Sequence, residues 1–254
     1  MDGTELAARF SYITNSLGFC GPDKASELFL KYIKENNNLK NKNINKYKNK
    51  VDSALKRFEG LYPYLSTIAE KRGKDLLDHD VVEAYWLGDE LLEKFDDTDI
   101  KNIIKKLMQR GLPASIGQEL IKNLPTGFIP HHDFNVFYVG VGRTTGSVET
   151  TLQNMDNCRI SWGRVIEILE NELVVVTQPL KREKIKDKLT SGKFFLGDEE
   201  TKNAVYLPEM LPEIKKGDYV ALHWGFAPLV LENYQLKNLK KYNKMILDVM
   251  NKKN

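Results

Sequence analysis

Several things that would define a class are scarce in this sequence. Two cysteines, Cys20 and Cys158, occur in 254 residues, too few for a disulfide framework and without a Cys-x-x-Cys pair. Each is judged as a lone thiol. No apolar run approaches the roughly 18 to 20 residues of a membrane-spanning helix, and the start, Met1-Asp2-Gly3-Thr4-Glu5, lacks the basic residues that open a signal peptide. A cytoplasmic protein with no membrane partner is expected. Charge of one sign is also missing: 38 Lys and Arg stand against 35 Asp and Glu. The small basic excess is spread along the chain, so nucleic acid is not an expected partner. What is present is an ordinary globular composition, 41% hydrophobic and 29% charged, at a length that favours two domains.

Periodicity divides the chain. Ala25, Leu28, Phe29, Tyr32 and Ile33 form one stripe of an amphipathic helix opened by Pro22-Asp23. Lys34 to Lys50 holds thirteen Lys or Asn among seventeen residues and reads as a solvated loop or polar helix extension. Helical patterns continue over Val51–Arg72, Asp80–Phe95 and Asp99–Gln109, and a short helix follows Pro113. Pro125, Gly127 and Pro130 then punctuate a turn. Phe134–Val141 has strand character, and strands are expected at Arg164–Leu169, Glu172–Gln178, Ala204–Leu207 and Asp218–Trp224, with Lys181–Lys202 as a charged hairpin excursion. After Pro228 the pattern returns to helix. The predicted fold is α+β: a helical domain over 1–125, then a β-rich module over 126–254 with an OB-like barrel and a C-terminal helix.

Gly140-Val141-Gly142-Arg143-Thr144-Thr145-Gly146 imitates a dinucleotide loop, yet Ser147–Leu152 is too short for the helix such a loop requires. A hairpin turn is expected instead, with no nucleotide cofactor. No Ser/His/Asp arrangement stands out, and Glu83, Asp89 and Glu90 read as the exposed face of an amphipathic helix. His79, between two aspartates, reads as a solvated helix cap. The protein is not expected to be an enzyme.

A stronger signal lies in Cys158-Arg159-Ile160-Ser161-Trp162-Gly163-Arg164-Val165-Ile166-Glu167-Ile168, paired with Gly217-Asp218-Tyr219-Val220-Ala221-Leu222-His223-Trp224-Gly225-Phe226-Ala227. This pair resembles the HypC-type [NiFe]-hydrogenase maturation chaperones, over about residues 158–242. The resemblance implies an OB-like module, a transient Fe(CN)2CO unit on the cysteine, and as partners a hydrogenase large subunit or its precursor and a HypD-type scaffold. Three departures stand out. Cys158 is internal and has no α-amine beside it, Trp162 replaces the usual proline, and the excursion lengthens the module. The whole chain also resembles an uncharacterised family with this helical domain fused ahead, in its Phe19-Cys20-Gly21-Pro22-Asp23, Glu83-Ala84-Tyr85-Trp86-Leu87-Gly88 and Pro130-His131-His132 stretches.

Residue chemistry sets the site expectations. A thiolate is a soft ligand suited to iron carrying cyanide and carbon monoxide, and Cys158, ahead of the first barrel strand, is expected at an accessible edge. His223 matches the family histidine and is expected near Cys158, on the strand face away from Val220 and Leu222. Cys20, just before a helix N-terminus, reads either as a thiol activated by the helix dipole or as part of a capping turn. It is a candidate second ligand facing Cys158. His131 and His132 point in different directions in extended chain, which leaves two readings: one approaches Cys158 while the other faces solvent, or both are a structural or solvent-exposed pair. A hydrogenase accessory subunit that holds no metal is the competing reading. An oligonucleotide-binding barrel is a third, disfavoured because Trp162, Tyr219 and Trp224 make no stacking platform.

Overall fold

A computed structural model describes residues 1–36, 44–183 and 192–253. The first half is helical: α1 (Gly3–Ser16), α2 (Ala25–Asn36), α3 (Ile44–Leu55), α4 (Tyr62–Arg72), α5 (His79–Leu87), α6 (Asp97–Met108) and α7 (Ala114–Lys122). The segment 37–43 inside the Lys/Asn-rich stretch lies outside the described residues. Local chemistry explains where these helices begin. Asp2 caps α1 by accepting the Glu5 N–H at 2.9 Å, Pro63 sits in the first turn of α4, and Asp96 with Asp99 forms a reciprocal capping box on α6. The predicted stripe of α6, Ile100, Ile103, Ile104 and Leu107, is buried.

Helix α1 is enclosed on nearly every side, with Leu6, Ala7, Ala8 and Phe10 in the core together with Glu5 and Arg9. Two buried charges in a helix need each other, since desolvating either alone is costly. Arg9 Nη2 donates to Glu5 Oε1 at 2.6 Å and Arg9 Nη1 to the Met210 carbonyl. The second bond ties the first helix to the C-terminal half.

The region after Pro130 departs from its predicted form. Phe134–Val141 is not a strand: α8 (His132–Phe134) runs directly into a π-helical turn, Asn135–Gly140. The reason is burial. Phe134, Val136, Phe137, Tyr138 and Val139 are all inside, and an apolar run covered all round carries no period that separates strand from helix. The following glycine loop is therefore not a hairpin turn; it joins the π-helical turn to α9 (Leu152–Cys158), which Thr151 caps through the Asn154 N–H.

The strands are β1 (Ser161–Ile168), β2 (Glu172–Thr177), β3 (Leu180–Arg182), β4 (Phe194–Leu196), β5 (Glu200–Val205) and β6 (Tyr219–Leu222). Four form an antiparallel sheet in the order β5-β2-β1-β6, and β3 pairs with β4. The charged excursion thus includes a short antiparallel pair, with 184–191 outside the described residues. The main sheet is open, because β5 and β6 are its edges and do not pair as strands. An isolated parallel bridge joins Val205, the last residue of β5, to Phe226 in the turn after β6. The mixed helix-and-sheet class holds, whereas a closed barrel does not form. Among the described residues no helix is long and apolar enough to cross a membrane.

Helix α10 (Asn233–Lys253) crosses back onto the helical half. Glu83 corrects another expectation: it is buried, accepting from the Tyr234 hydroxyl at 3.1 Å and the Gln235 side-chain amide at 2.6 Å. Asp89 caps a short 3₁₀ turn, Glu90–Leu92. Between them Gly88 has φ +81°, and a Cβ there would lie 2.3 Å from the Tyr242 ring. Both the backbone conformation and the space require glycine. Gly88→Ala is expected to destabilise the fold by about 2–3 kcal/mol, measured as a lower midpoint in chemical denaturation; an unchanged midpoint would contradict this packing of α10 on α5.

Candidate metal centre

His132 opens α8, Cys158 closes α9 and His223 follows β6. One ligand atom from each, the Cys158 sulfur and one nitrogen of each ring, lies within 4.8 Å of the others. All three residues are buried. The chain folds this way because Ile160, just before β1, is held by Asp133: its N–H donates to Asp133 Oδ1 at 3.2 Å, while Asn243 of α10 donates to Oδ2 at 2.7 Å. That clamp sets the end of α9 beside the start of α8. Trp86 of α5 forms the floor, its ring 4.6 Å from His132 and 5.5 Å from His223 between centroids.

The expected residues are distributed unevenly. Cys158 and His223 do come together, but Cys158 is inside the molecule rather than at an exposed edge, because α9 carries it under the helical half. His223 is not on a face turned away from the core, since Val220, Ala221, Leu222 and His223 are all buried. One side of β6 meets the sheet interior and the other meets α1. His132 is the member of the histidine pair that approaches Cys158, yet His131 is not in solvent. It is fully buried, and its Nδ1 accepts the Asp133 N–H at 3.1 Å. His79 starts α5 behind the Asp78 cap, remote from this group.

Hydrogen-bond accounting shows which nitrogens are free. A carbonyl can only accept, so His223 Nδ1 carries the proton it donates to the Phe10 carbonyl at 3.0 Å. Its Nε2 lone pair is then available, and that atom is buried with no partner. A backbone carbonyl behind one ring nitrogen with the other left open is how metal-binding histidines are commonly oriented. His132 has two settings. With its proton on Nε2 it donates to the Cys158 carbonyl at 3.0 Å, and Nδ1 accepts from the Tyr85 hydroxyl at 2.9 Å. With its proton on Nδ1 it donates to the Tyr85 oxygen, which in turn donates to the Gly60 carbonyl at 3.0 Å. The second setting leaves the Nε2 lone pair facing the Cys158 sulfur, 3.7 Å away.

Electrostatics keeps the metal-free group neutral. Burial pushes the Cys158 thiol well above its ordinary value, and the Trp224 indole, close to the sulfur, works in the opposite direction. Burial pushes His132 well below the usual imidazole range, and His223 and His131 nearby add to it. His223 is brought down to about 4 by burial, opposed by its bond to Phe10. A soft cation entering here would find two neutral imidazoles and displace one thiol proton.

Cys20 also differs from its dipole-activated reading. Helix α2 begins at Ala25, so the thiol lies in the turn before it rather than on its first residues. Burial, with a smaller contribution from the Glu59 carboxylate 3.8 Å from the sulfur, raises it to about 12. The Glu59 side chain also accepts the Gly21 N–H at 2.9 Å. Cys20 nevertheless lines the same cavity as Cys158, His132 and His223, a space of about 70 Å³. The glycine loop supplies another wall: Gly142 and Val148 line the cavity, and the Ser147 hydroxyl pins the loop by donating to the Phe19 carbonyl at 2.9 Å. Tyr85, Trp86 and Trp224 are the site residues that sequence reasoning left unassigned. All three lie in stretches quoted above for the resemblances, yet their aromatic character, which more often marks core, gave them no role at the site.

The whole chain, residues 1–254, matches the family described as "Family of unknown function (DUF6390)". The chain belongs to that family. No curated protein and no solved structure matches it. For this family member the geometry of the site therefore carries the functional argument.

The pH response of the metal-free protein tests the neutral group. His223 titrates near 4 when folded and near 6.5 when unfolded, so protonation favours the unfolded chain between those values. Stability is full above about pH 6.5 and is lost as pH falls towards 4, by about 3 kcal/mol from this residue. His131 and His132 shift in the same direction. Asp89, raised to about 6 by burial, works in the opposite sense, so the comparison is made against His223→Gln. That variant is expected to lose less stability over the same interval in denaturant melts. Parallel pH profiles would contradict a neutral buried His223.

Proposed function

We propose that this protein binds a transition-metal centre through Cys158, His132 and His223 and serves as a cytoplasmic metallocentre assembly chaperone. The observation that carries this reading is the convergence of a thiol and two imidazoles, with their ligand atoms within 4.8 Å of one another, and one of them, His223 Nε2, left buried without a partner. An unsatisfied buried polar group costs about 1–3 kcal/mol, and a metal bound here would give that nitrogen its partner.

The identity of the cargo rests on donor chemistry and on the resemblance of 158–242 to the HypC-type chaperones. Thiolate and imidazole suit iron, copper, nickel or zinc. A thiolate in a water-poor, apolar cavity suits an iron fragment with cyanide and carbonyl ligands. On this reading the chain carries or positions Fe(CN)2CO through Cys158 and passes it to a [NiFe]-hydrogenase large-subunit precursor, with a HypD-type scaffold as a further partner. Cys20 is the candidate second thiolate. The open sheet with its Val205–Phe226 bridge is the OB-like element of that module. The protein's work is binding and transfer, with no bond of a substrate made or broken by its own side chains.

Two measurements test this. The metal-free protein is expected to bind one Co(II) per chain in equilibrium dialysis, with thiolate-to-cobalt charge-transfer absorption. Cys158→Ser should abolish that absorption, His132→Ala should weaken binding at least tenfold, and Cys20→Ser should weaken it less. Protein isolated from cells making a [NiFe]-hydrogenase should show cyanide and carbonyl infrared bands that Cys158→Ala removes. If cobalt is not bound at all, the metal reading fails. If it is bound but the infrared bands are absent and Cys158→Ala cells mature their hydrogenase normally, the iron-fragment cargo is wrong.

A further inference from the structure

Cys158, His132 and His223 are buried, so whatever reaches the sulfur has to pass a wall of the cavity. Much of that wall is core. Ser11, Thr14, Phe58, Leu61, Tyr85 and Trp86 line it and are buried, and parting them would separate packed helices. The remaining side faces outward. There Phe19, Val148 and Trp224 are half-buried, and Thr145 and Ser147 of the glycine loop are exposed.

Few contacts close that outward side. The Ser147 hydroxyl donates to the Phe19 carbonyl at 2.9 Å, and the Phe19 ring lies against that of Trp224 with centroids 4.6 Å apart. The Phe19 backbone is fixed, because its N–H donates to the Thr14 carbonyl at 2.8 Å and Asn15 Nδ2 donates to the carbonyl of Cys20 at 2.9 Å. Its ring is not part of the buried core. A single rotamer change therefore moves that ring outward without disturbing a helix.

Trp224 is the fixed side of the opening. With Gly225 it makes a two-residue turn between the bridged residues His223 and Phe226, and both central residues are left-handed, at φ +51° and +70°. Such a turn favours Asn or Gly in its first position, so a tryptophan there is strained. What the strained position achieves is cover. The indole is set close to the Cys158 sulfur, lines the cavity and packs with Phe19. The same turn carries His223, so the cover and one member of the donor group are placed together.

We propose that Phe19 and Trp224 form an aromatic gate over Cys158, latched by Ser147, through which the cavity exchanges its contents when the Phe19 ring swings away. The gate goes beyond the metal-binding reading. That reading concerns what the cavity holds, whereas the gate is a property of the metal-free chain and sets how anything enters or leaves.

The test labels the metal-free full chain with methyl methanethiosulfonate, a small thiol reagent, and follows Cys158 by peptide mass, which resolves it from Cys20. Relative to the unsubstituted protein, Phe19→Ala is expected to raise the labelling rate about tenfold and Ser147→Ala about fivefold, with little change in the midpoint of chemical denaturation. Gly88→Ala, altered where α10 meets α5, shows how much a loss of stability alone contributes. The proposal is overturned if either folded gate variant labels at the unsubstituted rate, if Gly88→Ala raises the rate as much as they do, or if Cys158 in the unsubstituted protein labels as fast as in the urea-unfolded chain. Should Phe19→Ala not fold, Ser147→Ala, which removes only an exposed hydroxyl, decides the matter. Metal uptake is no part of the readout, so its failure would sink the metal reading and leave the gate standing.

Discussion

The hydrogen bond from His223 to the Phe10 carbonyl joins the two halves of the chain beside the His132, Cys158 and His223 group proposed to hold a metal. It spans residues 213 apart in sequence and makes the residue just after β6 depend on the position of α1. An imidazole that donates inward from one nitrogen must present the other to whatever lies on its far side. That far side is the sulfur of Cys158 and the ring of His132. The Arg9 bond to the Met210 carbonyl and the Glu83 bonds to Tyr234 and Gln235 fasten the same seam elsewhere. The apolar core is continuous from Leu6 to Met250 across that seam. Rigid support of this kind is what a preorganised ligand set requires, since donors left on flexible loops would lose ordering entropy on binding.

Burial gives the site its chemical character. In water His132 and His223 would be partly protonated near neutral pH and Cys158 would be accessible to oxidants. Inside the seam burial holds the imidazoles neutral and the thiol protonated. Neutral imidazole is the form that coordinates a metal. The arrangement suits a carrier, whose cargo needs shielding from water and from other ligands during transfer. Tyr85 adds adaptability at His132, because its hydroxyl can serve either Gly60 or the ring.

Much of the helical half was legible. The α6 stripe, the Pro63 start of α4 and the capping aspartates are local signals whose physics operates within a few residues. Three strands of the main sheet were found through alternation, whereas β5 begins inside the expected excursion and only its last two residues fall in the strand expected at Ala204–Leu207; an open sheet stands where a barrel was expected, because closure depends on how edges meet and not on any one strand's pattern. The segment 134–141 was misread because a run buried on all sides has no amphipathic period. The site itself was half visible. Cys158 and His223 were tied together by a motif resemblance and His132 by its place after Pro130, but the supporting aromatics were not. Tyr85 and Trp86 look like ordinary core in sequence, and only the fold reveals that one hydroxyl bonds the His132 ring and one indole packs against both site histidines. Cys20 was read either as a dipole-activated thiol or as part of a capping turn; burial, and after it Glu59 thirty-nine residues on, raises the thiol instead, through contacts no local window reaches.

The most direct measurement of the central claim is X-ray absorption at the zinc edge of the stoichiometrically loaded protein. The account predicts one sulfur scatterer at about 2.3 Å and two imidazole nitrogens at about 2.0–2.1 Å, with the sulfur lost in Cys158→Ser and one imidazole lost in His223→Ala. A first shell made of oxygen and nitrogen alone in the unsubstituted protein, or a shell unchanged by both substitutions, would contradict it.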